Sequence, residues 1–529
     1  MIRSPLALPA LVIGVAMALI AGGCSPQRSE EPLQPHTESN GPVGPVPQGL
    51  ERFYGQQLRW GPCAGFATSE SDRAAYRSPT LECTRLEVPL DYSNPQGRTI
   101  NIGVLRSRAI DQERKIGSLT VNPGGPGASG MSAAASLSQA LDQTELGQRF
   151  DLVGFDPRGV AASEPAVRCL TGPERDAYRL DSDADSSPRG VAETEREERD
   201  YARECAQRNG GSLLANIGTR DVVRDLDVLR SALGDRELNY LGYSYGTRIG
   251  SEYAEEFPAN VRAMVLDGAI DPGQSTVDAL VAQGAGFQRA FDDFAAWCAE
   301  QDQCALGQDP ARAVERFQRL TRPLVDDPAP AGDRELSYQD ATTAAIQALY
   351  APSMWEHLNS GLAELERGSG RTLLALADSY FGRNPDGTYS NTTDAFDAIH
   401  CVDDQRVRDP REVAQADRRY REAAPFLDDG RGVNPARDMC AFWPVPVTGE
   451  STQPEVSGVP PVLVVSTTAD PATPYRAGVE LAKALGGRLL TYEGTQHTVF
   501  LQGVQCVDEA GIDYLVDREL PKRGARCSG

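Results

Sequence analysis

The pentapeptide Gly242-Tyr243-Ser244-Tyr245-Gly246 has the spacing of a serine nucleophile on a sharp turn. The apolar run 238–241 before it predicts a strand, and the pattern of residues 247–257 predicts a helix. The glycines permit the strained backbone and the close packing that such a turn requires. A serine on a strand–turn–helix stands above the edge of a sheet, so we predict that Ser244 is a nucleophile.

A serine nucleophile needs a base within hydrogen-bond reach, and there are four histidines in the chain. His36 lies in a polar N-terminal stretch, and His357 and His400 lie in a helical insertion. His497 follows the last predicted strand of the sheet. In hydrolases with this kind of sheet the order along the chain is serine, acid, histidine, so elimination and order together predict His497 as the base.

The acid that orients the base should end a strand between Ser244 and His497. Asp470 follows the apolar strand 462–468, at the carboxyl edge of the predicted sheet where active sites of such sheets lie. Asp267, which ends the strand after the pentapeptide, is the alternative. Asp470 could instead only cap a turn, because aspartate before proline often does so. We predict that Asp470 is the acid.

The oxyanion of the reaction needs two backbone N–H donors. One is predicted to be that of Tyr245, directly after the nucleophile. The other is predicted to be Gly125, in the loop 122–127, which follows a strand and is rich in glycine. The same loop could be a plain turn, and it lacks the spacing of a nucleotide-binding loop.

The bulk composition restricts the possible partners. The chain has 529 residues, 40% of them hydrophobic, and a formal net charge of −23 at pH 7. This length predicts several domains or one domain with a large insertion. Nucleic-acid binding needs a basic face, so the acidic balance argues against a nucleic-acid partner.

The N-terminus predicts an exported protein. Residues 1–23 combine Arg3 with an apolar run that is too short to span a membrane, as in a signal peptide. Small residues precede Cys24, which predicts a lipoprotein that is cleaved before this cysteine and acylated on its thiol. An ordinary secretory signal is the alternative. Residues 24–49 are polar and predict a disordered tether, so we expect a protein that is lipid-anchored to the outer face of the cell membrane or secreted.

The remaining cysteines predict disulfides. They are even in number, as expected of an exported chain. Pairing of neighbours along the sequence is predicted because each pair then closes a short loop. No metal site or cofactor is predicted, because histidine is scarce and no Cys-x-x-Cys occurs. The ten are Cys63, Cys83, Cys169, Cys205, Cys298, Cys304, Cys401, Cys440, Cys506 and Cys527.

Alternating strand and helix patterns indicate an α/β fold with a mainly parallel sheet and helices on both faces. From about Pro272 to Gly458 this alternation gives way to mostly helical patterns, which predict a cap inserted into the core. The strand pattern resumes at residues 461–465. We therefore assign residues 50–271 and 459–529 to the core and residues 272–458 to the cap.

Four motifs occur together in this chain: the loop 122–127, Asp156-Pro157-Arg158-Gly159, the Ser244 pentapeptide and the segment 470–474. In combination they resemble the secreted actinobacterial tripeptidyl aminopeptidases, relatives of the proline iminopeptidases among the α/β-hydrolases. The resemblance covers about residues 50–527, although Asn122 stands where the iminopeptidases have histidine. It implies an α/β-hydrolase fold, peptide substrates and release of short N-terminal peptides through an acyl-enzyme; some members are described as esterases.

Two other functions remain open at this point. A carboxylesterase or lipase-like enzyme would use the same triad beneath an apolar groove, and a non-catalytic binding lipoprotein would lack a triad member. An exopeptidase would need carboxylates in the cap to bind a substrate ammonium group. We predict Asp403 and Asp404, beside Cys401, for this role, with Asp394 and Asp397 as further candidates.

Overall fold

The computed structural model describes residues 34–181, 183–449 and 452–529. The predicted signal peptide and Cys24 lie outside the described residues. Within the described ranges, no helix is both long enough and apolar enough to cross a membrane.

One large sheet forms the centre of the described structure. Its order is β1-β2-β3-β4-β6-β5-β7-β8-β11-β12-β13, and a separate hairpin is formed by β9 and β10. From β6 to β13 all neighbours are parallel, whereas β1 to β4 and the β4–β6 pair are antiparallel. The strands are β1 His36–Glu38, β2 Leu58–Pro62, β3 Leu81–Pro89, β4 Thr99–Ser107, β5 Gly117–Asn122, β6 Phe150–Phe155, β7 Leu238–Tyr243, β8 Val261–Asp267, β9 Ala329–Ala331, β10 Arg334–Leu336, β11 Leu463–Thr467, β12 Arg488–Glu493 and β13 Arg526–Ser528.

Helices cover both faces of this sheet. The central parallel strands are therefore buried on both sides. The predicted fold class is confirmed. The helices are α1 Glu51–Tyr54, α2 Glu70–Ala75, α3 Gly130–Leu141, α4 Glu145–Arg149, α5 Gly172–Leu180, α6 Pro188–Asn209, α7 Gly211–Leu214, α8 Thr219–Leu233, α9 Tyr245–Glu256, α10 Thr276–Ala299, α11 Ala313–Thr321, α12 Tyr338–Leu349, α13 Trp355–Glu366, α14 Arg371–Phe381, α15 Thr392–Asp403, α16 Pro410–Ala423, α17 Tyr475–Ala484 and α18 Gln505–Asp517.

Three hydrophobic clusters divide the described interior. One lies on the face of the sheet covered by α8, α9 and α17, and a second lies on the face covered by α3 and α18. The third belongs to the insertion, where Phe291, Phe317 and Phe426 pack around one another with ring centroids 4.7 to 5.7 Å apart. The insertion between β8 and β11 therefore has a core of its own, consistent with the predicted cap.

A second excursion, between β6 and β7, also reaches the cap. Its helix α6 buries Glu195, Glu198, Tyr201, Ala202 and Cys205, so its inner face carries two glutamates. The sequence pattern did not reveal this helix as part of the cap, because a mixed polar and apolar face has no clear hydrophobic stripe. This excursion helps to enclose the cavity described below.

The predicted tether over residues 24–49 is corrected for its described part. Residues 36–38 form β1, which pairs antiparallel with β2. Glu38 accepts hydrogen bonds from the Arg106 guanidinium at 2.8 and 2.9 Å, and Glu82 accepts another at 2.6 Å. Arg106 also stacks over the Trp60 ring at 3.9 Å, so one residue from each of four neighbouring strands meets in this network. The buried Arg106 guanidinium thus holds β1 in place through Glu38.

The five disulfides of the described chain join neighbouring cysteines, as predicted. They are Cys63–Cys83, Cys169–Cys205, Cys298–Cys304, Cys401–Cys440 and Cys506–Cys527. Each closes a local loop of at most 39 residues.

The Glu38–Arg106 contact predicts a pH-dependent contribution to stability. Burial acts to raise the pKa of Glu38, but hydrogen bonds and charge from Arg106, together with Arg108, lower it to about 2. Because this pKa lies below the unfolded value of about 4.3, the stabilisation is present above that pH and is lost as the pH falls towards 2. We expect Glu38→Ala to lower the free energy of unfolding by about 2 kcal/mol at pH 7, and by less at pH 3.

Denaturant titration of wild type and variant at both pH values measures this effect. Glu87→Ala is the control, because Glu87 is 47% exposed and pairs with an exposed arginine; such pairs contribute about 0–1 kcal/mol. Equal losses for the two variants, or a loss for Glu38→Ala that does not depend on pH, would contradict the prediction.

Candidate active site

Ser244 lies on a tight turn between β7 and α9. Its backbone has φ 54° and ψ −123°, outside the regions that non-glycine residues ordinarily adopt. The turn leaves no room for a side chain at Gly242, where a Cβ atom would lie 2.4 Å from the carbonyl oxygen of Gly246. The Ser244 N–H donates to the Asp267 carbonyl at 2.9 Å, which ties the turn to the end of β8. Strain held in this way is typical of functional positions.

His497 is paired with Asp470. Its Nδ1 lies 2.9 and 3.0 Å from the two Asp470 carboxylate oxygens. The Asp470 carboxylate also accepts the backbone N–H groups of Ala472 and Thr473 at 2.9 and 2.8 Å, and the Thr473 hydroxyl at 3.0 Å. Because these bonds fix the carboxylate, the His497 ring is held with Nδ1 as donor and Nε2 available to accept a proton.

The electrostatic surroundings favour the charged form of His497. Burial acts to lower the pKa of this histidine, but the charge and hydrogen bond of Asp470 and the charge of Asp267 raise it overall. The His497 ring also lies edge-on to the Tyr350 ring, with ring centroids 5.3 Å apart. The backbone N–H of His497 donates to the backbone carbonyl of Tyr350 at 2.9 Å. The imidazolium that forms during general-base catalysis is therefore stabilised where it would arise.

Asp267, the alternative acid, has other partners. Its Oδ2 accepts the backbone N–H groups of Val499 and Phe500 at 2.7 and 2.8 Å, and the residue is fully buried. Burial raises its pKa to about 6. The next residue, Gly268, lies against the His497 ring, since a Cβ on Gly268 would be 3.1 Å from Cε1. Asp267 thus links the Ser244 turn to the loop that carries His497, whereas Asp470 bonds to the ring itself.

The loop 122–127 packs directly on the Ser244 turn. A Cβ on Gly124 would lie 2.9 Å from the Ser244 Cβ and 2.9 Å from the Tyr245 nitrogen, and Gly124 has φ +94°. The Gly124 N–H is taken by the Asn122 side chain at 2.9 Å. Gly125 and Tyr245 both line the cavity next to Ser244. The residues of both predicted oxyanion donors therefore border the cavity beside Ser244.

Ser244 lies at one side of a cavity of about 1120 Å³. Its walls come from α5 and α6 and from α10, α12, α14, α15 and α16 of the insertion. Leu280, Tyr380 and Phe396, three of the most exposed large hydrophobic residues of the described chain, line this cavity. A substrate that reaches Ser244 is thus enclosed by both excursions and meets apolar surface on the way.

The predicted pair Asp403 and Asp404 is engaged by protein groups. Asp403 is 2% exposed and accepts the Thr219 N–H at 2.9 Å and the Thr219 hydroxyl. Asp404 accepts from Arg248 at 2.7 Å and pairs with His400 Nδ1 at 2.7 Å. These contacts hold α15 against α8 and α9, so other acidic residues of the cavity are better placed to meet a cation.

The further aspartate candidates, Asp394 and Asp397, also bond to other groups of the protein. Asp394 pairs with Arg175 and accepts the Cys169 N–H at 2.9 Å, while Asp397 accepts the Tyr201 hydroxyl at 2.5 Å and lines the cavity. His36 lies in β1. Within the described ranges, no three histidine, cysteine or acidic side chains converge to hold a metal ion.

Sequence reasoning missed Thr473, Tyr350 and Glu198. Thr473 had a local signal, because N–H groups two and three residues after an aspartate commonly bond to its carboxylate. Tyr350 and Glu198 had none, since they come from distant helices that only the fold brings to the cavity.

Ser244 lies on a strained strand–helix turn, and His497, which follows β12, is hydrogen-bonded to the Asp470 carboxylate. This combination defines a serine hydrolase. Comparison with protein families gives the same result at the level of sequence. The model described as alpha/beta hydrolase fold matches residues 118–504, and the chain belongs to this family.

Named relatives cover most of the chain. It is 48% identical to the serine protease Hip1 of Mycobacterium tuberculosis over 494 residues, which is 92% of this chain and 94% of that protein. It is 47% identical to carboxylesterase B of the same species over 475 residues, or 89% and 90% of the two chains. It is 30% identical to the tripeptidyl aminopeptidase of Streptomyces coelicolor over 462 residues, or 85% and 83%. These names include both peptide and ester hydrolases.

The different contacts of Asp470 and Asp267 predict that replacing each aspartate by asparagine affects activity differently. Asp470→Asn removes the carboxylate from the His497 ring and should lower kcat about 10³–10⁴-fold. Asp267→Asn keeps an oxygen for Val499 and Phe500 and leaves the ring contact intact, so a loss of less than about tenfold is expected. Activity should fall on the acid side as His497 becomes protonated, and Asp470→Asn should move this midpoint to lower pH.

Initial rates on a chromogenic short-chain ester across pH test both expectations, with thermal unfolding as the control for folding. A severe loss for Asp267→Asn alongside a nearly active Asp470→Asn enzyme would identify Asp267 as the acid.

Proposed function

We propose that the protein is an exported serine exopeptidase that releases short peptides, chiefly tripeptides, from free N-termini through an acyl-enzyme. The observation that carries this proposal is the number of carboxyl groups around the cavity. Eight carboxyl groups and four guanidinium groups line it. A neutral ester has no need of this excess of carboxylates, whereas a peptide with a free N-terminus brings an ammonium group to it.

The proposed mechanism gives each of the predicted site residues a role in acyl transfer. His497 takes the proton of the Ser244 hydroxyl as its oxygen attacks the scissile carbonyl carbon, while Asp470 holds the ring. The N–H groups of Tyr245 and Gly125 stabilise the oxyanion. His497 then gives the proton to the leaving amine and the acyl-enzyme forms. A water molecule, deprotonated by His497, attacks the acyl carbon and releases the short peptide with a free carboxylate.

The enclosure of the cavity supports cleavage near a chain end. Helices of both excursions surround the space next to Ser244. The cavity has a volume of about 1120 Å³, and sites of roughly 300–1,000 Å³ hold small ligands, so a peptide of a few residues can be accommodated beside Ser244. Apolar side chains of these residues have Leu280, Tyr380 and Phe396 to pack against.

The similarity to carboxylesterase B makes an ester hydrolase the second candidate. Tripeptide, dipeptide and single-residue amides, each with a free or an acetylated N-terminus, should be assayed beside a short-chain ester. The free tripeptide amide is expected to have the highest kcat/KM. Activity on the ester and on none of the peptides would refute the peptidase proposal.

Ser244→Ala should abolish labelling by a fluorophosphonate and lower peptide hydrolysis at least about 10³-fold, because the attacking oxygen is removed. Ser212→Ala, at an exposed serine of α7, is the matched control. Labelling that persists in the Ser244→Ala enzyme would overturn the assignment of the nucleophile.

The disulfides support an oxidising compartment outside the cytoplasm. Acylation of Cys24 would anchor the protein to the outer face of the membrane. Cys24→Ala should then abolish incorporation of labelled palmitate and move the protein from the membrane to the soluble fraction. Unchanged fractionation and no palmitate in the wild type would indicate an ordinary secretory signal.

A further inference from the structure

The two ends of Tyr245 have different surroundings. Its backbone N–H is the predicted oxyanion donor next to Ser244, whereas its ring is 4% exposed and belongs to the hydrophobic cluster on the α8 and α9 face of the sheet. The Tyr245 hydroxyl lies 2.5 Å from the Thr219 hydroxyl and 3.4 Å from the Asp403 carboxylate. Thr219 begins α8, and Asp403 ends α15 of the cap. The side chain therefore connects an oxyanion residue to both of these helices.

The three side chains form a directed chain of hydrogen bonds. Burial and the charge of Asp403 raise the pKa of Tyr245 well above its ordinary value, so its hydroxyl keeps the proton and donates to the Thr219 oxygen. The Thr219 hydroxyl in turn donates to the Asp403 carboxylate. Hydrogen bonds aligned in this way polarise and strengthen one another. The tyrosine is thus held by a carboxylate at the far end of the chain.

Asp403 has a fixed position at the start of α8. Its two carboxylate oxygens lie 2.9 and 3.2 Å from the Thr219 backbone nitrogen and accept its N–H. A negative charge is favourable there, because the first N–H groups of a helix lack partners within it. Gly218 leaves the space that the carboxylate occupies, since a Cβ at this position would overlap Oδ1 of Asp403. The Asp403 carbonyl also accepts from Arg248 at 3.2 Å.

The turn at Ser244 needs contacts on both sides. Its backbone conformation is strained, and such strain costs about 1–3 kcal/mol and persists only when the surroundings hold it. The Ser244 N–H bonds to the Asp267 carbonyl at 2.9 Å, and the Ser244 carbonyl accepts the Thr247 N–H at 2.8 Å. The side chain of Tyr245 adds a contact beyond the turn itself. This contact acts on the residue whose N–H must point at the oxyanion.

The other end of α15 contacts the glycine-rich loop that carries Gly125, the second predicted oxyanion donor. A Cβ on Gly127 of this loop would lie 2.5 Å from the Thr392 carbonyl oxygen and 3.0 Å from the Phe396 nitrogen. The helix has 12 residues, which corresponds to a length of about 18 Å. Its first turn thus borders the loop of one donor, and its last residue, Asp403, holds the residue of the other.

We propose that α15 of the cap positions both oxyanion donors, and that Asp403 is a positioning residue that acts on Tyr245 through Thr219. In this role Asp403 does not touch the substrate. It holds the side chain of Tyr245, so that the N–H of the same residue keeps its direction. The proposal rests on the acyl-transfer mechanism proposed above, including the oxyanion role of Tyr245, but it applies to peptide and ester substrates alike.

Tyr245→Phe removes the hydroxyl and keeps both the ring and the backbone N–H. Deleting an oxyanion donor typically lowers kcat about 10²–10³-fold. Here the donor is retained but displaced, so kcat for a short-chain chromogenic ester should fall about 10–100-fold, with KM within about twofold of the wild type. Tyr253→Phe is the matched control. Tyr253 is a fully buried tyrosine of the same helix, and its hydroxyl donates to Asp227 at 2.8 Å, so its loss should leave kcat unchanged.

Position 219 allows a rescue experiment. Thr219→Val keeps the shape of the side chain without its hydroxyl and should lower kcat as Tyr245→Phe does, whereas Thr219→Ser keeps the hydroxyl and should stay within about twofold of the wild type. Asp403→Asn keeps an acceptor for the Thr219 N–H and removes the charge, so a similar loss is expected. Because the three side chains act as one chain, combining Tyr245→Phe with Asp403→Asn should be little worse than either alone.

Inhibition by butylboronic acid reports on the oxyanion site itself. The Ser244 oxygen adds to boron, its proton passes to His497, and the tetrahedral adduct carries an oxygen where the oxyanion would form. Such transition-state analogues lose affinity in step with catalysis. The inhibition constant should therefore rise in Tyr245→Phe, Thr219→Val and Asp403→Asn by about the factor by which kcat/KM falls. A merely structural role would reduce the amount of active enzyme and leave the inhibition constant unchanged.

Thermal unfolding of each variant reports on folding, and Tyr245→Phe and Thr219→Val decide the outcome if Asp403→Asn does not fold. An unchanged kcat in either of these two variants would overturn the positioning role. So would an equal loss in Tyr253→Phe, no rescue by Thr219→Ser, or a wild-type inhibition constant in the impaired variants. Ester hydrolysis that persists in Ser244→Ala would instead refute the acyl-transfer mechanism, so the two failures are distinguishable.

Discussion

Asp267 bonds to both loops that meet at the candidate active site. Its backbone carbonyl accepts the Ser244 N–H, and its carboxylate accepts two N–H groups just after His497. Both loops therefore take their positions from the end of β8, the strand next to the one that precedes Ser244. This carboxylate is fully buried, so the positions of the two loops depend on a contact inside the protein. Asp470 has the separate role of orienting the His497 ring.

The cap has a different kind of interior. Its own core is apolar and rich in phenylalanine, but its contacts with the rest of the molecule depend on paired charges. Arg179 of α5 pairs with Asp340 and Asp378 of the insertion, and Arg248 of α9 pairs with Asp404. Such pairs require defined geometry, since breaking one leaves a buried charge without a partner.

Much of the site was predictable because its parts follow chain order. Glycine spacing indicated the Ser244 turn, and positions directly after predicted strands, in the chain order of such hydrolases, indicated Asp470 and His497. The structure brings these last two together. Asp403 and Asp404 could not be judged from the sequence, because their partners Thr219 and Arg248 lie on helices far away in the chain. Glu198 was missed for the same reason: a buried glutamate looks like a surface one until the fold encloses it. Strand β1 is too short and polar to show a pattern, and its position depends on Arg106 in another strand.

The pairing of the cysteines bears on how the molecule matures. In the described chain, every disulfide joins a cysteine to the next one along the sequence. A polypeptide that enters an oxidising compartment from its N-terminus presents these cysteines two at a time. Once the Cys24 thiol is acylated as proposed, an oxidant that joins each free thiol to the preceding free thiol would reach the native set without reshuffling. Correct cross-linking of this protein is therefore compatible with a compartment that contains a thiol oxidase and no disulfide isomerase.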